Sequence, residues 1–138
     1  QYKLQWLAAL YGYVREQLVT HPALALLGDY NIAPEDRDVY DPEGWREQVL
    51  CSTPERQVFA DLLSLGLHDS FRLFNQEEKQ FTWWDYRGMM FRRNLGVRID
   101  HILISDTLKP RAEACVIDKQ PRKWERPSDH TPVMLTLA

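Results

Sequence analysis

Three short acidic motifs border strand-like apolar runs, and they restrict the chain to folds that gather strand ends in one place. The motifs are Gly28-Asp29-Tyr30-Asn31, Arg98-Ile99-Asp100-His101 and Ser128-Asp129-His130. Each sets a carboxylate at the edge of an apolar stretch, where a charge is costly unless it is paired or ligates a metal. Leu7, Leu10, Tyr11, Val14 and Leu18 recur at helical spacing and predict a helix over 2–19 that stops at His21-Pro22. The apolar run Ala23 to Leu27 comes next. A helix followed by a short continuous apolar run is the rhythm of a buried strand in an α/β fold. Asp29 and Asn31 are therefore expected at the carboxyl end of that strand, where such folds build sites.

The remaining pattern extends this α/β reading. Residues 33–45, with Pro34 and Pro42, read as a loop. Thr53-Pro54 reads as a helix start with Thr53 as the cap, Val58, Phe59, Leu62, Leu63 and Leu65 as the buried face and Gly66 as the stop. Residues 67–74 are left ambiguous. Phe81 to Tyr86 reads as strand-like, pairing Phe81 with Trp83 on one face and Trp84 with Tyr86 on the other, most of them in the core. Residues 87–96 form an Arg-rich loop. From Val97 to Ser105 alternation places Asp100 on the face of Ile102 and Ile104, which predicts a buried carboxylate. Residues 114–117 and 132–137 read as further strands, with a charged loop over 118–127.

Composition excludes several classes. The 138 residues are 44% hydrophobic and 27% charged, which suits one globular domain rather than a disordered chain. No apolar run approaches the roughly 18–20 residues that span a membrane, so a membrane partner is not expected. Cys51 and Cys115 stand in no metal-ligand spacing and read as buried thiols of a reduced compartment. The net charge of −3 argues against a uniformly basic nucleic-acid binder. The charges are segregated, however: Arg87, Arg92, Arg93 and Arg98 fall in a stretch without acids, and 119–126 holds four basic residues and one acid. Residues 29–43 hold six acids and one Arg. A basic rim beside an acidic pocket suits a metal-dependent enzyme acting on a polyanion. The same arginines also suit a solvated loop.

Each motif has a chemical and a plain reading. Asp29 can orient a water while the Asn31 amide donates to a phosphate oxygen; alternatively the pair closes an Asx-type turn. In Ser128-Asp129-His130, one side chain can reach a metal while a protonated His130 stabilises charge on a phosphate, with Asp100 as its natural partner. Alternatively Ser128 or Asp129 caps a turn. Together the motifs hold what is needed to bind a divalent cation, orient a water and neutralise a phosphate.

These residues resemble the exonuclease III type of AP endonuclease, in the endonuclease/exonuclease/phosphatase superfamily. The resemblance runs in order through Leu26-Leu27-Gly28-Asp29-Tyr30-Asn31-Ile32-Ala33-Pro34, Gly66-Leu67-His68-Asp69-Ser70-Phe71-Arg72, Phe81-Thr82-Trp83-Trp84-Asp85-Tyr86-Arg87, Leu95-Gly96-Val97-Arg98-Ile99-Asp100 and Pro127-Ser128-Asp129-His130-Thr131-Pro132-Val133. It implies part of a four-layered α/β sandwich, with one mostly antiparallel sheet and flanking helices in this chain. It implies Mg2+- or Mn2+-dependent hydrolysis of DNA 5′ to abasic sites, or trimming of 3′ ends. Carried over by position, Asp29 and Asn31 handle the water, phosphate and metal, Asp100 orients His130, His130 neutralises the phosphate beside the metal, and Asp129 serves the metal. Trp83 and Val97 line the sugar pocket, and Arg87, Arg92 and Arg93 reach the DNA. The family domain is roughly twice this length, and 1–138 resembles its C-terminal half, opening at Gln1 inside a helical pattern. The other half supplies an Asn, the principal metal-binding Glu and a Tyr. The expected protein is a cytoplasmic enzyme, monomeric at full length, with double-stranded DNA as partner. A non-catalytic nucleic-acid-binding relative and a superfamily phosphatase are the other two readings.

Overall fold

The computed structural model describes residues 2–138. Helix α1 (Tyr2–Thr20) leads into β1 (Ala25–Asp29); a one-turn α2 (Pro42–Trp45) and α3 (Thr53–Ser64) precede β2 (Leu67–Asp69). Strand β3 (Asp100–Ser105) is followed by β4 (Ala112–Ile117) and β5 (Val133–Leu137). Three layers result. The sheet β1-β3-β2 is antiparallel throughout. Leu103 on one of its faces joins Leu7, Val14, Phe59 and Leu62 of α1 and α3 in a core. On the other face, Ile102 and Ile104 pack with Val133 and Leu135 of the β4-β5 ribbon. Alternation along β3 produces this division, because both of its faces are apolar.

Several expectations need correction. The flanking helices and antiparallel pairing hold, but among the described residues the single sheet is two sheets of three and two strands, because β5 packs on a face of β3 instead of pairing with it. The strand after α1 starts at Ala25 and among the described residues is a sheet edge paired only with β3, so in this chain Leu27 is 66% exposed. The cap of α3 is Ser52. Its hydroxyl accepts from the Glu55 N–H while Glu55 accepts from the Ser52 N–H, a capping box readable in Ser52-Thr-Pro-Glu55. Thr53 bonds Glu47 instead. Phe81 to Tyr86 forms no strand. Only Trp83 makes isolated bridges, to Val97 and to His130. Phe81 and Trp84 are both buried while Tyr86 is 61% exposed, so the expected face pairing fails. Residues 33–45 contain α2 as well as loop, and 67–74 resolve into β2 and a 3-10 turn at Phe71–Leu73.

A buried ionic network joins the segments. Arg98 donates from Nε to Asp38 (2.7 Å) and from Nη1 and Nη2 to Asp69 (3.2 and 2.6 Å). Arg72 donates to the same Asp38 oxygen at 2.6 Å. Arg98 and Asp38 are almost entirely buried. Two arginines and two aspartates leave no net charge, so each ion keeps a partner. Arg98 thus belongs to the interior and not to a basic rim. Beside it, burial and the Arg98 charge hold His101 at a pKa of about 4. His101 is therefore neutral, with Nε2 donating to the Ile32 carbonyl at 2.8 Å. Replacing Arg98 by Met leaves Asp69 without its ion-pair partner and Asp38 with Arg72 alone. The expected loss is about 3–5 kcal/mol in urea unfolding, against under about 0.5 kcal/mol for the exposed Arg92→Ala. Equal unfolding midpoints for the two variants would refute the role given to the network.

Candidate active site

The β1–β3 register builds the site. Asp29 lies directly opposite Asp100, so both side chains project from the same face of the sheet. Two opposed carboxylates repel unless a cation or proton donor intervenes, and His130 does. Its Nδ1 donates to Asp100 Oδ2 at 2.9 Å, and its Nε2 stands 3.6 Å from Asp29 and 4.0 Å from Asp129. Burial alone disfavours the imidazolium, but the Asp100 hydrogen bond and the three surrounding carboxylates outweigh it and raise the His130 pKa. Burial also holds the Asp100 carboxyl above its ordinary range, against the opposing pull of His130. An open groove of about 200 Å³ runs past Asp29, Asp100 and Thr131.

The surrounding contacts fix each group. The Asn31 N–H donates to Asp29 Oδ1 at 2.9 Å, so the Asx turn does form. It holds the carboxylate in place instead of competing with a role for it. Asn31 itself is exposed, at φ 53°, and Lys3 of α1 donates to its carbonyl at 2.6 Å. The Trp83 indole donates to Asp129 at 3.0 Å. Thr82, fully buried, accepts from the N–H groups of Ile99 and Asp100 at 3.1 and 3.2 Å. Lys3 and Thr82 carry no sequence signal of a site role, since their partners lie far along the chain.

The structure therefore gathers Asp29, Asp100, Asp129 and His130, with Asn31 at the rim. Asp29, Asp100 and His130 offer ligand atoms within 4.8 Å of one another. Val97 is fully buried and bonded through both N and O to Trp83. It backs Trp83 and cannot line a pocket, a correction to the expected sugar contact. Arg87, Arg92 and Arg93 are exposed, with Arg87 paired to Asp85. Of the basic stretch 119–126, Arg122 is buried.

Two opposed carboxylates, a third beside them and a half-buried imidazole thus meet at one sheet edge of an α/β scaffold. The Endonuclease/Exonuclease/phosphatase family model matches residues 1–130, and the chain belongs to that family. It is 35% identical to an exodeoxyribonuclease of Bacillus subtilis over 99% of this chain and 52% of that protein. It is 36% identical to exodeoxyribonuclease III of Haemophilus influenzae over 95% and 52%. The 3′ phosphatase NExo from Neisseria, solved with its product DNA hairpin, superposes with a TM-score of 0.97 at 50% identity, over 99% of this chain and 53% of that one. An AP endonuclease from Archaeoglobus fulgidus gives 0.92 at 36%, over 99% and 54%. The chain spans about half the length of the relatives it matches. Among the described residues no helix is long and apolar enough to cross a membrane.

The pH behaviour follows from the pair. Because the His130 pKa is raised, stability from Asp100–His130 is fully present below the ordinary imidazole value near 6.5 and is lost as pH rises through the raised one. In metal-free buffer, NMR of the imidazole should show His130 titrating above 6.5 in the unaltered chain and moving down in Asp100→Asn, where burial opposes the charge with less support. Identical titration in the two proteins would show that Asp100 does not set the charge.

Proposed function

We propose that the chain is the C-terminal half of a DNA phosphoesterase of the exonuclease III type, acting 5′ to abasic sites or at 3′ ends. The observation that carries this is His130, which is held by Asp100 on one nitrogen and turned toward Asp29 and Asp129 with the other. Asp29, steadied by the Asn31 N–H, orients the attacking water or takes its proton. The water oxygen bonds to phosphorus as the bond to the leaving oxygen breaks. The His130 imidazolium donates to a non-bridging oxygen and offsets the charge that builds there. Asn31 lies at the rim to hold the phosphate.

The donor set fits a hard divalent cation, Mg2+ or Mn2+. Asp29 and Asp129 offer oxygens beside His130, and Mg2+ commonly takes one or two carboxylates and keeps water elsewhere. Such an ion, when bound, supplies Lewis acidity toward the phosphate and a more acidic water. Exposed Arg87, Arg92 and Arg93, and the half-buried Trp83 beside Asp129, are the DNA-facing groups. The exposed β1 face and the matched share of the relatives support a further half that completes the enzyme, which we place in the cytoplasm as a monomer acting on double-stranded DNA. The Neisseria 3′ phosphatase, at half identity, favours 3′-end processing as the second reading.

The test is a substrate panel for the full-length protein: an abasic duplex, a 3′-phosphate end, a recessed 3′-hydroxyl end and a phosphoinositide. The proposal expects hydrolysis of one or more DNA substrates with Mg2+ and none without. Asp29→Asn and His130→Ala should each lower kcat by several orders of magnitude, taking general acid–base assistance at ~10²–10⁴-fold and a charge-stabilising donor at ~10²–10³-fold. Loss of less than tenfold, or turnover of the phosphoinositide alone, would overturn it. The 138-residue chain by itself should leave abasic duplex intact.

A further inference from the structure

Arg122 lies in a 3-10 turn, Gln120–Lys123, among residues that are otherwise exposed or half-buried, yet it is 7% exposed. Its guanidinium sits over three rings, 4.8 Å from the centroid of Phe91, 5.6 Å from Tyr86 and 5.7 Å from Trp84. Nη1 donates to the Ser128 carbonyl at 2.9 Å, and Nη2 points to the Trp84 carbonyl at 3.4 Å. No carboxylate pairs with it among the described residues. A buried guanidinium with aromatic faces and carbonyl acceptors as its surroundings is a strut between two segments.

The two segments are the ones that matter to the site. One carries Trp84 and the arginine-bearing loop; the other is the turn into His130. Three successive carbonyls of that turn are held: Pro127 by the Tyr86 hydroxyl at 2.9 Å, Ser128 by Arg122, and Asp129 by the Trp84 N–H at 3.1 Å. Arg126, just before them, has a left-handed backbone at φ 54°. A turn that carries such strain persists only where its surroundings hold it. Arg122 comes from outside the 84–86 stretch and reaches both the Trp84 and the Ser128 carbonyl, so it adds a further tie between that stretch and the turn.

We infer that Arg122 is a positioning residue, which sets the place of the Ser128–His130 turn and through it the imidazole that meets the phosphate. The inference rests on the role proposed for His130. A displacement of about 1 Å at a reacting group can cost about 10²-fold in rate.

The test compares Arg122→Met and Arg122→Lys with the unaltered full-length protein on the best DNA substrate. Arg122→Met should lower kcat about 10²-fold with KM within about twofold, since the DNA-facing arginines remain. Arg122→Lys keeps a donor for Ser128 without the planar stack and should fall between the two. The Nδ1 proton of His130, seen by NMR, should shift or vanish in Arg122→Met while the imidazole of His101 stays unchanged as an internal control for the core. Unchanged kcat and an unchanged His130 signal would overturn the inference. So would His101 moving together with His130, which marks general loosening, or Lys behaving as Met does. If the unaltered protein hydrolyses no DNA substrate, the nuclease reading fails; the His130 and His101 signals still decide whether Arg122 positions the turn.

Discussion

The structure depends on a guanidinium buried between two carboxylates. Arg98 fixes Asp38, which lies 60 residues earlier, and Asp69 at the end of β2, and its own N–H bonds the Asp38 carbonyl at 2.9 Å. Burying these ions is expensive, and it is offset only because the geometry is close and the four charges sum to zero. What the network provides is a defined arrangement. Arg98 stands two residues before Asp100, so anchoring it anchors the start of β3. The Tyr30 N–H to Ile99 carbonyl bond and the pairing of Asp29 with Asp100 follow from that register. A slip of one residue would turn Asp100 toward the helices and Leu103 toward the ribbon.

That register creates an electrostatic conflict. Opposed aspartates at a sheet edge destabilise one another, and a protein under selection for stability alone has simpler residues for such a position. His130 relieves the conflict from the turn before β5, setting an imidazole among three carboxylates. Strongly coupled titratable groups at a groove are a mark of chemistry more than of packing. The second layer of contacts has the same purpose: Thr82 beneath Asp100, Trp83 against Asp129, the Asn31 N–H on Asp29. Trp83 and the Asn31 N–H each donate to a carboxylate that would otherwise be free to rotate, and the Thr82 hydroxyl holds the backbone that carries Asp100.

The arginines divide into two populations that composition cannot separate. Arg98, Arg72 and Arg122 are interior struts, with carboxylates or aromatic rings and carbonyls as partners. Arg87, Arg92 and Arg93 remain in solvent. A count of basic residues in 87–98 and 119–126 therefore overstates the polyanion-facing surface. Long side chains reach whichever acceptor the fold brings near: Arg98 and Arg72 turn inward to buried carboxylates, and Arg122 to aromatic faces and carbonyls.

Asp29, Asn31, Asp100, Asp129 and His130 were legible as a group because each sits in a short motif at the end of an apolar run. Alternation from Val97 to Ser105 even gave the facing of Asp100, and residue chemistry pointed to His130 as its partner. The buried strand after α1 and the strand at Phe81 to Tyr86 were read from patterns that neighbours override, whereas the pocket role of Val97 was carried over from the resemblance. β1 has a partner on one side only, the aromatic segment is held by single bridges, and Val97 is sealed beneath Trp83. Periodicity and residue type are local properties, so the chain alone determined its long helices, the central strand and its reactive groups. The pairing of Arg98 with Asp38 and Asp69, the inward turn of Arg122 and the 3.6 Å approach of His130 to Asp29 are contacts between distant segments, and only packing in three dimensions brings those together.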